Sequence, residues 1–388
     1  MSAPSPARWS AALAALSVFA SGVPAGEITQ HFPADKPAAG KQTQWRVVWG
    51  VEKHAGGSEV LFIEEAYFQR APDEKEIKVL GDCRLAEIFV PYHNASYRIY
   101  DISGESFSLV PLDASMLGPR CVAPGTIFNA KGKAADSGPV AAEVHDGHIR
   151  WMNWENTVRR GQSLSVWAVL SAGNYRYVML YDFRDDGGVG FRIGATAHNL
   201  FSADDDATTH VHLGCWRINV ELGDAARTKV NEVTLSTAAA KTVVSELRAE
   251  ARVKWDAERL TRLRVESTGK KNGHTPAHPI GYELIPVRMG SPRYGAEGEE
   301  FTQHDLWVTR RKTTVFEQKP RNLDAIENGE GIAGEPVTLW HHTPALHIAR
   351  DEDFGKTGTN QWEGVAITAW AGLDLKPRNF FAGTPLYP

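Results

Sequence analysis

The feature that most constrains the fold is a succession of short apolar runs, rich in Val, Ile, Tyr, Phe and Trp and separated by Gly, Pro, Asn and Asp. The runs occupy 45–51, 58–69, 148–154, 163–171, 175–183, 189–197, 210–222, 228–236, 259–267, 280–288, 304–312, 336–348 and 364–376. Strand-length runs with intervening turns, such as DDGG at 185–188, are typical of an all-β sandwich or barrel. No alternation of strands with helices and no repeat of fixed period appears.

One segment, 240–258, favours a helix instead. It carries good helix formers, and Val243, Val244, Leu247 and Ala251 stand near helical spacing. Acidic and basic residues are mixed around it, which indicates a solvated element rather than a nucleic-acid site.

The first residues have the pattern of a signal peptide. Arg8 precedes an apolar stretch over 9–19, and VPA at 23–25 offers a cleavage site before Gly26. The apolar stretch is much shorter than the roughly 20 residues that a membrane span needs. We therefore expect a signal peptide over 1–25 and a periplasmic or secreted protein without a membrane span.

The rest of the chain divides into a linker and one large unit. Residues 26–43 are polar and rich in Pro, Ala and Gly, which predicts a linker, and 44–388 would form the large domain. The 12 Trp, 15 Phe and 10 Tyr supply ample apolar surface for a core. The net charge of −5 gives no electrostatic reason to expect nucleic acid as a partner.

A His-x-His pair is the first candidate for chemistry. His210 and His212 lie in a strand-like run, and alternation along a strand places both imidazoles on one face. Such a pair is half of a site for Cu, Zn, Fe or Ni, although an ordinary surface pair is an equally good reading. A cupin-type oxygenase site is disfavoured, because it needs a Glu a few residues later and the next acid is Glu221.

The run SAGNYRY at 171–177 favours the metal reading. It resembles the Thr-x-x-Asn-Tyr-Asp/Glu-Tyr motif of the copper-containing amine oxidases, which convert a tyrosine of this motif into topaquinone. Asn174, Tyr175 and Tyr177 match the motif. The resemblance implies that Tyr175 is the topaquinone precursor and that Asn174 belongs to the active site.

Further segments resemble the same family in the same order along the chain. They are AEIFVPYHNASYRIYDISG (86–104), GATAHNL (194–200), HVHLGCWRINVEL (210–222), HDLWVT (304–309), VTLWHHTPALHIARDEDF (337–354) and LKPRNFF (375–381). The resemblance implies a large antiparallel β-sandwich, the catalytic domain of this family, and a homodimer unless trimmed hairpins abolish it.

The resemblance also implies a complete set of site residues. His347 would join His210 and His212 as the third ligand of Cu²⁺, and Tyr92 would hydrogen-bond a quinone oxygen. A primary amine would form a Schiff base with the quinone, and Asp101 would remove the α-proton. The implied reaction converts amine, O₂ and water into aldehyde, ammonia and H₂O₂.

Several residues depart from the family pattern. Arg176 stands where the family has an acid, and it reverses a charge beside the quinone precursor. Cys121 resembles one half of a disulfide found in many relatives, but the partner is absent around 139–146. Asn219 and Glu221 stand at a peripheral metal site of relatives, and Asn in place of Asp argues against Ca²⁺ there.

Two alternatives remain at this point. The first is a copper-binding protein on the same fold that never forms the quinone. The second is an exported carbohydrate- or protein-binding sandwich without a metal, which rests on fold class and Trp content alone. Four other histidines have no matching role and are expected at the surface or in turns: His145, His148, His341 and His342.

Overall fold

The computed structural model describes most of the chain as β-structure. The described residues are 24–34, 42–53, 59–92, 95–97, 108–119, 121–172, 175–197, 209–287, 291–294, 300–312, 323–348, 350, 353 and 366–383. They form the strands β1 (Pro24–Phe32), β2 (Thr43–Lys53), β3 (Glu59–Gln69), β4 (Ile77–Leu80), β5 (Cys83–Tyr92), β6 (Ala95–Tyr97), β7 (Ser108–Leu109), β8 (Leu112–Asp113), β9 (Thr126–Phe128), β10 (Ala134–Ala135), β11 (Ser137–Gly138), β12 (Val140–Met152), β13 (Val158–Ala172), β14 (Tyr175–Arg184), β15 (Val189–Ala197), β16 (His210–Ile218), β17 (Thr228–Ser236), β18 (Lys241–Leu247), β19 (Ala251–Val253), β20 (Arg262–Lys271), β21 (Pro279–Pro286), β22 (Leu306–Arg310), β23 (Val337–His347) and β24 (Ala366–Arg378). The prediction of an all-β fold is confirmed.

Helices within the described residues are short. They are α1 (Leu323–Ile326) and the 3₁₀ turns Ala114–Met116, Ala225–Arg227 and Glu300–Gln303. None of the helices in this part of the chain has the length and apolar character that a membrane crossing requires.

The strands assemble into two large antiparallel sheets. One has ten strands, in the order β1-β2-β3-β5-β16-β23-β22-β19, with β4 beside β3 and β6 beside β5. The other has twelve strands, in the order β10-β9-β12-β13-β14-β15-β24-β21-β20-β17-β18, with β7 beside β13. A small third sheet pairs β8 with β11. This arrangement agrees with the large antiparallel sandwich that the sequence predicts.

The core lies between the two large sheets and is rich in aromatic side chains. On β14 buried and half-buried residues alternate along the whole strand, as expected for a strand with one face on the core. Tyr181 and Phe191 of the twelve-stranded sheet each contact Trp216 of the other sheet, with ring centroids 5.6 Å apart. Trp45 packs in the same way on Phe183 at 5.1 Å. These rings join the two sheets.

The segment 240–258 is not a helix. It forms β18 and β19, and β18 pairs antiparallel with β17 from Ser236↔Lys241 to Val230↔Leu247. The two valines Val243 and Val244, which the helix prediction placed near helical spacing, are both exposed on β18. Consecutive β-branched residues and an adjacent strand to pair with favour the extended conformation.

The segment 26–43 is not wholly a linker. Most of its first half belongs to β1, which pairs with β2 from Pro24↔Gly50 to Phe32↔Thr43. Phe32 is fully buried in the core at the end of this strand. An unpaired strand edge and one buried aromatic ring are enough to order this polar stretch. The signal-peptide prediction concerns residues of which 1–23 lie outside the described part of the chain.

Candidate metal centre

Three imidazoles meet at the end of two neighbouring strands of the ten-stranded sheet. His210 and His212 are two residues apart on β16 and share a face, as alternation predicts. The last residue of β23, His347, stands directly opposite His210 in the antiparallel register. One nitrogen of each ring lies within 4.8 Å of the others, and Nε2 of His210 is 3.1 Å from Nε2 of His212. The register therefore brings together the three histidines that the family resemblance implies as metal ligands.

The triad is buried, and burial favours the neutral form of His212 and His347. His212 is completely inaccessible, while His210 and His347 are only 6% and 5% exposed. Burial, together with the neighbouring His210 and His347, holds the pKa of His212 well below its usual value. Burial also lowers the pKa of His347. Neutral imidazoles have the free lone pair that a metal ion requires.

A buried carboxylate orients the third ring. Oδ2 of Asp353 lies 3.0 Å from Nε2 of His347, and its other oxygen accepts a 2.9 Å bond from Arg350. This contact leaves Nδ1 of His347 for the centre of the triad, the usual carboxylate–histidine–metal arrangement. Asp353 was not predicted from the sequence, although an acidic stretch that closely follows a candidate ligand was a usable signal.

Two tyrosines of the opposite sheet close the centre from the other side. Tyr175 and Tyr177 point into the core from β14 and are fully buried. The Tyr175 hydroxyl lies 2.9 Å from Nε2 of His210, and the Tyr177 hydroxyl lies 2.9 Å from Nδ1 of His212. The hydroxyl of each tyrosine thus contacts one histidine of the pair, and the centre lies between the two sheets.

Arg176 lies between the two tyrosines in sequence but is directed away from the triad. It is half-buried, whereas its two neighbours are fully buried. Its Nη1 donates a 2.9 Å bond to the backbone carbonyl of Tyr175. The charge reversal relative to the family motif therefore acts on the other face of β14.

The remaining predicted site residues are only partly placed. Tyr92 is the last residue of β5, and β5 pairs with β16, the strand that carries two of the histidines. The side chain of Tyr92 lies outside the described part of the structure. Asp101 and Asn174 also lie outside it, so their roles stay predictions.

The expectation for His341 and His342 was wrong. Both lie in the interior of β23 and are 1% and 2% exposed, rather than at the surface or in a turn. Nδ1 of His341 is 3.1 Å from the carbonyl oxygen of Asp305, and burial lowers the pKa of this ring to about 4. Burial holds the pKa of His342 well below its usual value. The long apolar run around them was the signal for burial.

Glu221, one of the two residues considered for a peripheral metal site, is paired with basic side chains. Its carboxylate lies 2.9 Å from Arg311 and 3.3 Å from Lys78. Asn219 is buried and is bonded to Thr338 through its amide oxygen. The Glu221 carboxylate thus has basic partners within the protein.

The donor set of the triad fits copper. Two nitrogens that share a metal at about 2.0–2.1 Å each are about 2.8–3.4 Å apart between square and tetrahedral angles. The 3.1 Å separation of the His210 and His212 nitrogens falls within this interval. Imidazole is a ligand that copper accepts readily, and three of them leave positions open for water or O₂.

Comparisons with known proteins agree with this reading. A family model described as copper amine oxidase, enzyme domain, matches residues 141–387. Primary amine oxidase 2 of Arabidopsis thaliana is 23% identical over 365 residues, which cover 79% of this chain and 53% of that protein. Copper amine oxidase 1 of Aspergillus niger is 24% identical over 279 residues, with coverages of 61% and 40%. The chain thus spans about half the length, or less, of these curated relatives.

Solved structures show the same fold. The copper-containing benzylamine oxidase from Hansenula polymorpha superposes with a TM-score of 0.64 at 17% identity, covering 87% of this chain and 59% of that one. The Pichia pastoris lysyl oxidase gives a TM-score of 0.64 at 17% identity, with coverages of 87% and 52%. At this identity the similarity establishes the shared fold.

Proposed function

The chain belongs to the copper amine oxidase family, and on that premise we propose that it is an exported primary-amine oxidase that uses copper and a quinone made from Tyr175. The observation that carries the proposal is the 2.9 Å contact of the Tyr175 hydroxyl with His210, inside a buried triad of imidazoles. When present, copper and the quinone would supply the carbonyl and the redox chemistry that turn a primary amine and O₂ into aldehyde, ammonia and H₂O₂.

The residues around the triad would fix the metal and keep it dry. His210, His212 and His347 would hold copper, since burial favours the neutral rings of the last two. Tyr177 would direct His212, and Asp353 would direct His347, each through the nitrogen that does not face the centre. Fully buried neighbours exclude bulk water, which strengthens every charge interaction in the site.

The proton transfer is assigned to Asp101. In this proposal its carboxylate removes the proton from the carbon that bears the amine nitrogen, which is a task for a general base. Tyr92 would hydrogen-bond a quinone oxygen, and Asn174 would flank the precursor Tyr175. These three assignments rest on the family motif and on the position of Tyr92 at the end of β5.

The decisive experiment is a test for a carbonyl cofactor at Tyr175. The protein without residues 1–25 would be purified copper-free, reconstituted aerobically with Cu²⁺ and treated with phenylhydrazine. We expect a visible band that shifts to an intense new colour, and no colour in Tyr175→Phe. Tyr181→Phe is the matched control, since it removes another buried hydroxyl of β14, which donates to the carbonyl of Leu61, and leaves Tyr175 and the triad in place.

The experiment separates the proposal from a copper-binding protein without catalysis. A colourless protein that holds one copper per chain would exclude the oxidase and favour the alternative. A coloured protein allows the base to be tested, because Asp101→Asn should keep the colour and reduce amine turnover by about 10²–10⁴-fold. Turnover that is unaffected by this substitution would remove Asp101 from the mechanism.

Export is a second part of the proposal. It rests on the basic residue, apolar stretch and VPA site of the first 25 residues. Cleavage after Ala25 would leave the pairing of β1 with β2 intact from Gly26↔Trp49 onward. Expression of the full chain in a bacterium, fractionation and N-terminal sequencing test this. A mature protein that starts at Gly26 in the periplasm supports export, and an intact N-terminus in the cytosol contradicts it.

A homodimer is the third part. The β12–β13 hairpin exposes four large apolar side chains, and apolar groups that protrude together are typical of interaction surfaces. They are Ile149, Met152, Trp154 and Val158, with Trp154 99% exposed. Analytical ultracentrifugation should give twice the chain mass, and Trp154→Ser should weaken the association. A monomer at all concentrations would contradict the dimer.

A further inference from the structure

A second group of metal-binding side chains lies on the opposite face of the twelve-stranded sheet from the triad. Glu143 and His145 are two residues apart on β12 and share a face, while Ala142 and Val144 between and beside them face the main core. Cys121 is brought to them by a 2.8 Å bond from the backbone amide of Val122 to the carbonyl of Val144. A loop and a strand therefore present a thiol, a carboxylate and an imidazole together.

The distances between the three groups match a shared cation. Sγ of Cys121 is 3.2 Å from Oε1 of Glu143 and 4.0 Å from Nδ1 of His145, and all three donor atoms lie within 4.8 Å of one another. A tetrahedral Zn²⁺ with one sulfur, one nitrogen and one oxygen ligand places these atoms about 3.3–3.7 Å apart. A small rotation of the imidazole, which is half exposed, brings the set to that geometry.

The carboxylate of Glu143 lies among hydrogen-bond donors, and the basic side chain beside it in the described part of the chain is His145, with Nε2 3.9 Å from Oε2. Glu143 is 5% exposed, and its oxygens accept bonds from Trp167 Nε1 at 2.8 Å and from the backbone amide of Gly118. Among the described residues, no Lys or Arg lies within 4.0 Å of Glu143. A buried carboxylate is normally paired with a cation or bound to a metal. The other groups beside Glu143 are the Cys121 thiol and the His145 ring, and both belong to the cluster itself.

The loop before Cys121 covers the cluster without filling it. A Cβ placed on Gly118 would lie 3.2 Å from Oε1 of Glu143, 3.4 Å from Sγ of Cys121 and 3.7 Å from the His145 ring. A glycine at this point leaves space that is bounded by all three donor groups. The cluster is thus a small cradle between the loop and β12.

We propose that Cys121, Glu143 and His145 form a second metal site, which binds a divalent cation of the Zn²⁺ type. The thiolate and imidazole select a borderline-soft ion over Ca²⁺ or Mg²⁺, and the carboxylate makes the ligand set dianionic. Three protein ligands leave the fourth position for water. The bound ion would fasten the loop to β12. This site is independent of the triad and of the proposed oxidase activity.

The test measures metal binding by the copper-free protein. Equilibrium dialysis against Zn²⁺ should give two ions per chain for the wild type and one for Cys121→Ser and for His145→Gln. Titration with Co²⁺ should give a thiolate-to-cobalt charge-transfer band that Cys121→Ser abolishes, while the cobalt bands of the triad remain. Loss of either ligand should weaken binding at this site by more than about 100-fold.

Two control variants test whether the loss of zinc is specific to the cluster. His148→Asn changes an exposed histidine on the same strand that is outside the cluster, and it should leave two zinc ions per chain. His212→Ala should remove the triad ion and keep the thiolate band. A wild type that binds one Zn²⁺, a cobalt spectrum without the band, or a band that survives Cys121→Ser would overturn the second site.

Discussion

The hydroxyl of Tyr177 lies 2.9 Å from Nδ1 of His212, and this contact determines which nitrogen of the ring faces the metal centre. With Nδ1 engaged, Nε2 of His212 faces Nε2 of His210 at 3.1 Å. The two tyrosines of β14 thus have different tasks although they lie two residues apart. Tyr175 contacts the histidine pair where a metal would lie. Tyr177 orients the ring of His212 through Nδ1, the nitrogen that does not face His210.

Replacing Tyr177 by Phe should weaken copper binding by about 10–100-fold, because outer partners of metal-bound histidines contribute to affinity at this level. Loss of the buried hydrogen bond should also lower the free energy of unfolding by about 1 kcal/mol. Competition with a copper chelator and urea denaturation measure the two effects. Tyr181→Phe is the control, since it removes a buried hydroxyl of the same strand that donates to the carbonyl of Leu61. An equal loss of copper affinity in both variants would refute the orienting role.

Asp353→Asn should also weaken copper binding by about 10–100-fold. The carboxylate accepts from His347 through one oxygen and from Arg350 through the other, and an amide can accept through only one of them. Chelator competition gives the affinity. Arg350→Gln is the matched control, because it removes the ion pair but leaves the carboxylate on His347, and its effect should be much smaller. Wild-type affinity in Asp353→Asn would show that His347 needs no such partner.

The strands were predictable where the local pattern and the tertiary environment agree. The run 175–183 is β14 in the structure, because its alternation of buried and half-buried residues is a local property. At 240–258 the local pattern and the tertiary environment disagree. Residues that favour a helix lie next to an edge of β17 to which a strand can pair. Pairing with that edge outweighs intrinsic helix propensity, which is a weak preference in comparison.

The sites were predictable to the extent that they are local in sequence. Alternation alone places His210 and His212 on one face, but His347 joins them only through a pairing between distant strands, which the family resemblance implied and composition did not. Asp353 and the cluster around Glu143 were missed for the same reason. Each depends on a loop that folds back onto a strand, and no sequence period encodes such a contact.

Asp185 should make the protein less stable as the pH rises from about 4 to 6. Burial raises the pKa of its carboxyl from 3.8 to about 6, although Arg150 and Arg159 lie nearby. A raised pKa in the folded state means that the stabilisation is complete below 3.8 and is lost as the pH rises through 6. The difference between the pKa values of Asp185 in the unfolded and folded states corresponds to about 3 kcal/mol of stability.

Asp185→Asn removes this titration and keeps an oxygen that can accept the bond from the backbone amide of Gln162. Urea denaturation of both proteins between pH 4 and 7 measures the difference in their free energies of unfolding. We expect this difference to move in favour of the variant by up to about 3 kcal/mol between pH 4 and 6, and to stay level above that interval. A difference that does not change with pH would contradict the raised pKa.

His341 should have the opposite effect over a similar range. Burial lowers the pKa of its ring from 6.5 to about 4, so the unfolded chain binds an additional proton between these values. The stabilisation is therefore complete above pH 6.5 and is lost as the pH falls through 4, by about 3 kcal/mol.

His341→Asn removes the titration and retains an N–H that can donate to the carbonyl of Asp305. Urea denaturation at pH 4 to 7, with both proteins copper-free, should show the variant about 1–2 kcal/mol less stable at pH 7, because a smaller side chain leaves a cavity. On acidification the variant should lose less stability than the wild type, whereas Asp185→Asn should lose more. If both variants followed the wild-type pH profile, neither group could contribute to the pH dependence of stability.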